Sequence, residues 1–281
     1  MNPIKKDRFS IVFNHDGYLE LVDFIKNNDF NKILILTDDN TKENCLDIFL
    51  SSITAANPKV SNLIISKLFY YSVKPGENSK NIDKSIGVWE FLIEKGFKRL
   101  DLIINLGGGM ITDLGGFVAS TFMRGIKFVN VPTTLLGMVD ASIGGKTGID
   151  FREIKNIIGV FGFAKIVLVD YRFLATLNKR QKTAGYAEMI KHILISKTSE
   201  LNKIKKVDSM EDIPHKMINQ SIITKVSIID VDPLESDIRK FLNYGHTLGH
   251  AIESYLLGTD RELLHGEAIA IGIILETYLS F

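Results

Sequence analysis

The sequence lacks most features of secreted, membrane-spanning or nucleic-acid-binding proteins. Its 281 residues include one cysteine, Cys45, so no disulfide can form within the chain, which favours a reducing compartment. No run of about 18 apolar residues is present, and the N-terminal segment has no apolar signal-peptide core. The net charge of +1 argues against nucleic-acid binding through bulk charge. We therefore expect a cytoplasmic protein that binds neither membranes nor nucleic acids.

The composition is that of an ordinary globular protein. Hydrophobic residues make up 45% of the chain and charged residues 24%, enough for a sizeable core. Because the charges nearly balance, any attraction for an anionic ligand must come from local groups of Lys, Arg and His.

The two halves of the chain have different hydrophobic patterns. Short apolar runs at 9–13, 32–37, 100–106, 128–132 and 165–170 alternate with helical patterns near 17–27, 41–55, 78–95 and 111–121. This order predicts an open α/β sheet whose strands are buried on both faces. After residue 178 only helical patterns remain, at 179–197, 211–231, 243–257 and 263–280. We predict an α/β domain over 1–177, an α-helical domain over 178–281, and a site in the cleft between them.

A glycine-rich loop is the strongest local signal of the first half. An apolar strand leads into Gly107, Gly108 and Gly109, and a helix begins near Ile111. Glycine admits a phosphate close to the backbone, and a helix N-terminus offers free N–H groups to it. The loop is not GxGxxG, so a tight turn that needs glycine only for steric reasons is the alternative.

Two polar turns precede this loop. LTDDN (36–40) ends a strand with carboxylates that could bind ribose hydroxyls, and PGENSK (75–80) sets Glu77 one helical turn from Lys80. Taken alone, LTDDN is better explained as a polar turn, and PGENSK resembles any capped helix start with an i,i+3 pair.

The middle segment, 131–156, combines glycine with charge. Asp140, Lys146, Lys155 and Asn156 lie near three glycines and follow an apolar strand. This arrangement indicates a backbone that wraps an anionic ligand, with the lysines supplying positive charge. A solvated loop with surface lysines is the alternative.

Histidines and carboxylates concentrate in the helical half. His246 and His250 lie four residues apart, so both lie on one helix face, a spacing that suits a metal pair. His265 begins another helical pattern, and Glu188 lies one turn from Lys191. One carboxylate and two imidazoles would leave open positions on a catalytic Zn²⁺. Partly buried polar residues at helix ends are the alternative.

Taken together, the chain from about Thr37 resembles the sugar-phosphate cyclases and, within them, the 3-dehydroquinate synthases. The motifs that carry the resemblance occur in family order: PGENSK, GGGMITDLGGF, MRGIKFVNVPTTLL, VDASIGGKTG, KNIIGVF, GYAEMIK, RKFLNYGHTLGHAIE and LLHGEAIAIG. Eight ordered matches are far more specific than one glycine-rich loop.

The resemblance implies a fold and a set of site residues. The fold would be an α/β NAD-binding domain followed by an all-α metal-binding domain. The metal, Zn²⁺ or alternatively Co²⁺, would be held by Glu188, His246 and His265. NAD would be held by Asp38, Glu77, Lys80, Gly109, Met110, Ile111, Thr112, Asp113, Thr133, Thr134, Lys146, Lys155, Phe173, Leu174, Ala175 and Thr176. Substrate would be held by Asp140, Lys146, Lys155, Asn156, Lys191, Lys225, Arg239, Asn243 and His250.

The implied reaction converts 3-deoxy-D-arabino-heptulosonate 7-phosphate to 3-dehydroquinate and phosphate. It would proceed through transient oxidation by NAD, phosphate elimination, re-reduction and an intramolecular aldol closure. The resemblance also implies a homodimer in which Arg124 reaches the phosphate in the neighbouring site. Arg239 favours this substrate because a guanidinium can bind its carboxylate bidentately.

Some residues depart from the family pattern. Phe163, Ala164, Pro233 and Asp150 stand where relatives often have other residues, but none of these changes removes a predicted ligand. The chain ends within an apolar helical pattern, and the resemblance implies that relatives continue with a lysine that contacts the substrate phosphate. We therefore expect the helical domain of this chain to be shorter than theirs.

Three alternative functions stay open at this point. Another sugar-phosphate cyclase would keep most of the same motifs. A metal-dependent polyol dehydrogenase of the same architecture would use Asp instead of Glu as its first ligand. A degenerate binding protein would have lost the ligands that this sequence retains.

Overall fold

The computed structural model describes residues 1–152, 154–196 and 213–280. The strands are β1 (Ile4–Lys5), β2 (Ser10–Phe13), β3 (Ile33–Asp38), β4 (Leu68–Val73), β5 (Leu102–Gly107), β6 (Lys127–Pro132), β7 (Lys146–Phe151), β8 (Ile154–Phe161) and β9 (Ile166–Val169). Seven of them form one sheet in the order β1-β2-β9-β6-β5-β3-β4, parallel throughout except for β1.

The five strands predicted from apolar runs are all present. Every residue of β3 and β5 is buried, as the uninterrupted apolar runs indicated, because helices cover both faces of the sheet. The sequence patterns missed β4, whose residues are mostly half-buried because it lies at the edge of the sheet. They also missed the two-residue strand β1.

Helices cover the sheet and form the second half of the described chain. They are α1 (Asn14–Asn28), α2 (Asp39–Ala56), α3 (Pro58–Ile65), α4 (Ile82–Glu94), α5 (Gly109–Thr121), α6 (Lys179–Ile195), α7 (His215–Val231), α8 (His246–Leu256) and α9 (His265–Leu279). Each predicted helix is confirmed, although 197 and 211–212 of the predicted ranges lie outside the described residues. The domain division at 177/178 stays a prediction.

The strand order creates a crevice at one edge of the sheet. Strand β3 pairs with β4 on one side and with β5 on the other. The connections that leave β3 and β5 therefore run in opposite directions along the sheet. In open parallel sheets, ligands bind at the carboxyl ends of strands at such a point. Asp38 ends β3 and Gly107 ends β5, which places both predicted nucleotide motifs at this crevice.

The middle segment differs from its prediction as a wrapping loop. After a short helical turn, Gly137–Ala141, it forms an antiparallel hairpin of β7 and β8, and most of β8 is exposed. Positive φ angles at Gly144 and Gly145 turn the chain into the hairpin. A side chain at Gly144 would also come within 2.8 Å of the Arg239 guanidinium, so glycine permits their close approach. Among the described residues, no helix is long and apolar enough to span a membrane.

Candidate active site

One cleft runs from the sheet crevice to the helices of the second half. Its volume is about 710 Å³, and the residues lining it come from β3, the glycine loop, the β7–β8 hairpin and helices α6 to α9. Many of the predicted site residues line it: Asp38, Glu77, Lys80, Gly109, Met110, Asp113, Thr134, Asp140, Lys146, Lys155, Asn156, Lys191, Lys225, Arg239, Asn243, His246, His250 and His265. The cleft therefore brings the nucleotide and metal motifs into one space.

Three helices bring the predicted metal ligands together. Glu188 lies fully buried on α6, while His246 and His265 are the first residues of α8 and α9. Glu188 Oε1 lies 3.9 Å from His246 Nε2 and 3.6 Å from His265 Nε2. This buried oxygen accepts no hydrogen bond within the described residues. A buried carboxylate oxygen facing two imidazole nitrogens is a suitable donor set for Zn²⁺ or Co²⁺.

The other ring nitrogen of each histidine is held in place. His265 Nδ1 lies 3.2 Å from Glu253 Oε2, and His246 Nδ1 lies 3.3 Å from the backbone oxygen of Tyr244. A donor–acceptor contact at Nδ1 fixes the tautomer that leaves Nε2 free to bind a metal. Burial lowers the pKa of His246 to about 3, which keeps this imidazole neutral at physiological pH.

His250 lies beside this group. Its ring centroid is 5.1 Å from that of His246 and 5.4 Å from that of His265, and its buried Nε2 has no hydrogen-bond partner in the described chain. The helical spacing of four residues thus does bring His246 and His250 together. The three histidines form one possible ligand group by proximity. Only the set with Glu188 supplies a negative charge to a cation.

A cationic cluster lies between the metal ligands and the hairpin. Lys225 Nζ donates to Asp140 Oδ1 at 2.5 Å, and Lys191 Nζ lies 4.0 Å from the same oxygen. Lys191 also forms an ion pair with Glu188. Burial opposes ionisation of Asp140, but Lys225 and Lys191 outweigh it and hold its pKa well below the usual range. Asp140 therefore balances part of the buried positive charge.

Two more predicted substrate residues contact a carboxylate that the sequence analysis did not name. Lys146 forms an ion pair with Glu235, and Asn243 Nδ2 donates to Glu235 Oε1 at 2.5 Å. The Glu235 carboxylate thus lies between the Lys146 ammonium group and the Asn243 amide. Its φ of +62° lies in the left-handed region, an uncommon conformation for glutamate.

Arg239 is almost fully buried at the edge of this cluster. Its guanidinium donates to the backbone oxygens of Pro233 and Gly144, the latter at 2.8 Å. Its Nε–H is buried and has no partner among the described residues. Two of five N–H groups are therefore occupied by backbone, and the others are available to an anionic ligand.

The glycine loop combines steric need with an open helix N-terminus. A side chain at Gly107 would come within 2.6 Å of Ile111, and one at Gly108 within 2.9 Å of Thr134. Gly108 caps α5 with no side-chain hydrogen bond among the described residues, and Gly108, Gly109 and Met110 at the start of this helix line the cleft. The steric need for glycine is therefore confirmed, and phosphate binding by this loop stays a prediction.

Charged residues connect the nucleotide end of the cleft to the hairpin. Lys80 Nζ lies 2.7 Å from Glu77 Oε1 and 3.5 Å from Asp113 Oδ2, and donates to Asn156 Oδ1 at 2.8 Å. Lys155 Nζ lies 3.4 Å from Glu77 Oε1. Burial raises the pKa of Glu77, but the two lysines overcome this and lower it to about 2. Burial raises the pKa of Asp113 to about 7 despite Lys80.

The comparisons with known proteins agree with this geometry. The family model described as 3-dehydroquinate synthase N-terminal matches residues 70–184, and that described as 3-dehydroquinate synthase C-terminal matches residues 185–281. The chain belongs to the 3-dehydroquinate synthase family. A curated 3-dehydroquinate synthase from Parabacteroides distasonis is 41% identical over 274 residues, which cover 96% of this chain and 74% of that protein.

Solved sugar-phosphate cyclases share the fold of this family member. The structure of 2-deoxy-scyllo-inosose synthase complexed with carbaglucose-6-phosphate, NAD⁺ and Co²⁺ is 26% identical with a TM-score of 0.82, covering 99% of this chain and 76% of that chain. The 2-epi-5-epi-valiolone synthase from Streptomyces hygroscopicus subsp. jinggangensis, with NAD⁺ and Zn²⁺ bound, is 25% identical with a TM-score of 0.76, covering 98% and 75%. Solved dehydrogenases and reductases, 11% to 16% identical, share the fold alone.

The chain is shorter than its family members. It spans between 57% and 74% of the length of four curated 3-dehydroquinate synthases. The predicted fold class and family are thus confirmed, and the activity of the longer proteins is carried to this chain only as a proposal.

Some predicted residues of this 3-dehydroquinate synthase family member do not line the cleft. Ile111, Thr112 and Thr133 are buried beneath the glycine loop, and Phe173 is buried in the core. Leu174, Ala175 and Thr176 follow β9, where Thr176 Oγ1 lies 3.7 Å from Cys45 Sγ on α2. Arg124 is exposed in a short turn after α5, away from the residues that line the cleft.

The sequence analysis also missed three residues that contact the predicted ligands. They are Glu235, Glu253 and His192, whose Nδ1 lies 2.6 Å from Ser221 Oγ and whose Nε2 lies 3.6 Å from Asp140 Oδ1. Glu253 could have been found from its spacing, because it lies seven residues after His246 and so shares the His246 and His250 face. His192 could have been found from its position four residues after Glu188 on one helix face, whereas nothing in the local sequence marks Glu235.

Proposed function

We propose that this chain is a 3-dehydroquinate synthase that converts 3-deoxy-D-arabino-heptulosonate 7-phosphate to 3-dehydroquinate and phosphate. The observation that carries the proposal is that Glu188 faces His246 and His265, and these two histidines line the cleft that also holds the glycine loop. An open metal site beside a nucleotide crevice and a lysine cluster suits a phosphorylated substrate that is transiently oxidised. Family membership supports the same reaction.

Two bound groups fit the residues present. The unpartnered Glu188 Oε1 facing His246 and His265 supports a divalent cation, Zn²⁺ or alternatively Co²⁺. The crevice between β3 and β5, with its uncapped α5 N-terminus, supports NAD. When bound, NAD exchanges a hydride with the substrate and the cation polarises substrate oxygens as a Lewis acid. Both fits agree with solved relatives that contain NAD⁺ with Co²⁺ or Zn²⁺.

The protein residues themselves position charge around the substrate. Lys191 and Lys225, both buried, would bind anionic oxygens while Asp140 keeps the two ammonium groups in fixed places. Lys146, Asn243 and Glu235 form a second polar group that substrate would rearrange. We assign the substrate carboxylate to Arg239, whose buried Nε–H has no partner among the described residues. His250 Nε2 is available to the phosphate.

The first test measures phosphate release. Purified protein receives the heptulosonate phosphate with a trace of NAD, before and after chelation of divalent metal. We expect chelator-sensitive phosphate release with no net NADH. NADH accumulation without phosphate would instead indicate a polyol dehydrogenase. If this chain is silent under conditions in which a curated 3-dehydroquinate synthase releases phosphate, the binding-protein alternative is favoured.

We also propose a homodimer in which Arg124 serves the neighbouring site. Arg124 is exposed, has a φ of +64° and lies in a turn that projects from the end of α5, which supports a role outside its own cleft. Arg124→Ala and Lys191→Met would each be inactive, yet a mixture of the two would regain about a quarter of the activity through hybrid dimers. A mixture that stays inactive while sedimenting as a dimer would contradict this role. The cytoplasmic location likewise stays a prediction.

A further inference from the structure

Glu253, a buried carboxylate on α8, lies between the metal end of the cleft, with His265, and its nucleotide end, with Lys155 and Glu77. Glu253 is 3% exposed and follows His246 and His250 on the same helix face. Apolar packing does not explain why Glu253 is buried, because the side chains that face it across the cleft are charged. A buried carboxylate of this kind persists only where its oxygens are paired.

The two oxygens of Glu253 have different partners. Oε2 lies 3.2 Å from Nδ1 of His265, and Oε1 accepts from Lys155 Nζ at 2.6 Å. His265 belongs to the predicted metal ligands, while Lys155 lies on β8 and also contacts Glu77 at the nucleotide end. One side chain thus joins an imidazole of the metal end to an ammonium group of the nucleotide end.

The contact with His265 orients that ring. A carboxylate at Nδ1 selects the tautomer with a free Nε2 lone pair and makes the imidazole a stronger donor to a metal. His246 is oriented by a neutral backbone oxygen instead, that of Tyr244. The charge-assisted contact is the stronger of the two, so the position of His265 depends on Glu253 more than that of His246 depends on its own acceptor.

The contact with Lys155 fixes the other end. The Lys155 side chain is 7% exposed and is shared between Glu253 and Glu77, and Glu77 in turn pairs with Lys80. A shift of Glu253 would therefore change the charge that surrounds Lys155 and Glu77. The residues form a continuous path of charge pairs from His265 to Lys80, with each contact at 3.4 Å or less.

We propose that Glu253 is a positioning residue that couples metal binding to nucleotide binding by orienting His265 and Lys155 together. The inference rests on the proposed function, since it takes a cation and NAD as the two ligands. Metal bound at His265 fixes the Glu253 carboxylate, which presents Lys155 and Glu77 to the nucleotide. Coupling of this kind is reciprocal, so each ligand raises the affinity for the other by the same factor.

Glu253→Gln tests the proposal with little change in volume. His265 and Lys155 contact different oxygens of Glu253, and the amide replaces one of these oxygens with an NH2 donor, so one of the two contacts is lost. We expect zinc affinity, measured by competition with a chromophoric chelator, to fall about 10- to 100-fold. We expect NAD affinity, measured by calorimetry, to weaken about fivefold and to lose its dependence on zinc. The visible spectrum of the Co²⁺-loaded variant should also change, which a purely structural role would not cause.

Matched variants separate the two contacts. Lys155→Met removes the ammonium group that Glu253 and Glu77 share but keeps the contact between Glu253 and His265, so NAD affinity and the coupling should fall while zinc affinity stays within about twofold. This variant also carries the test if Glu253→Gln melts at too low a temperature to be measured. Glu94→Gln removes a carboxylate that is 70% exposed on α4 and should change neither affinity.

The outcomes distinguish this inference from the proposed function. A wild-type protein that binds neither zinc nor NAD would overturn both. A wild-type protein that binds both, with a Glu253→Gln variant of unchanged affinities and unchanged coupling, would overturn the inference alone. Weaker zinc binding in that variant with intact coupling would also overturn it, because Glu253 would then serve only the metal.

Discussion

The nucleotide end and the metal end of the cleft are built in different ways. At the nucleotide end, Asp38 and Gly107–Gly109 terminate adjacent parallel strands, so the register of the sheet alone brings them together. At the metal end, Glu188, His246 and His265 come from three helices whose packing decides whether they meet. The first arrangement follows from local sequence, and the second requires the tertiary structure of the helical half.

The two ends also differ in how their charges are satisfied. Lys80 and Lys155 are paired with carboxylates at the nucleotide end. At the metal end, Glu188 Oε1 is buried without a hydrogen-bond donor among the described residues. Such an oxygen is costly to bury unless a cation or donor completes it. We therefore expect ligand removal to affect the metal end more than the nucleotide end.

The largest expected effect is that of Glu188→Gln. The amide keeps the shape but supplies no negative charge, so zinc binding should be lost and phosphate release should fall by at least about 10³-fold. Chelator competition gives the metal affinity, and a phosphate assay gives the rate. Glu94→Gln, an exposed carboxylate on α4, is the control for loss of one charge. Normal zinc affinity in Glu188→Gln would indicate instead that His246, His250 and His265 bind the metal.

The same contrast explains how far the sequence could predict the site. The glycine loop and the strand ends were found from hydrophobic patterns, because a parallel strand followed by glycine has few possible geometries. Helical spacing found His246 and His250, which do lie together, but it could not identify Glu188 as the carboxylate that faces His246 and His265. That assignment came only from family resemblance, since it depends on how α6, α8 and α9 pack.

The errors have physical causes as well. The sequence pattern predicts a loop at the β7–β8 hairpin, because glycines and charges interrupt the alternation of its strands. In addition, most of β8 faces away from the core, so it lacks the apolar pattern of a buried strand. Glu235 and His192 were missed because each acts on a residue distant in sequence, Lys146 and Asp140 respectively. A local pattern contains no record of such contacts.

The charge network at the nucleotide end makes a prediction about pH. Glu77 has a pKa of about 2 because Lys80 and Lys155 outweigh its burial, against 4.5 in an unfolded chain. A lowered folded-state pKa stabilises the fold above pH 4.5, and this stabilisation is lost as the pH falls towards 2. Glu77→Gln should therefore lower the free energy of unfolding by about 2 kcal/mol at pH 7 and by much less near pH 2. Urea unfolding of the metal-free protein at several pH values measures this.

A control sharpens that test. Glu94→Gln removes an exposed carboxylate whose contact is with the adjacent Lys95, so its stability difference from the wild type should stay small at every pH. If Glu77→Gln lowers the free energy of unfolding by the same amount at pH 7 and pH 3, the ion pairs of Glu77 with Lys80 and Lys155 do not contribute to stability. Lys80 and Lys155 would then need a bound ligand as a partner, as Glu188 Oε1 does at the metal end.

The smallest expected effect tests the backbone at the start of α5. In Gly109→Ala, the new methyl group would lie 3.1 Å from Cβ of Ala141, close enough to shift the first turn of α5 by a few tenths of an ångström. Gly109 and Met110 of this turn line the cleft, so NAD should bind about fivefold more weakly, a change of about 1 kcal/mol. Zinc affinity should be unchanged, because no metal ligand lies on α5. Gly87→Ala, in the middle of α4, is the control: its methyl group would approach the end of the Tyr71 side chain to 2.7 Å, away from the cleft residues, and both affinities should stay as they are. A Gly109→Ala protein with weakened zinc binding would mean that the two ends are not separable, and one that binds NAD normally would remove the α5 N-terminus from the nucleotide site.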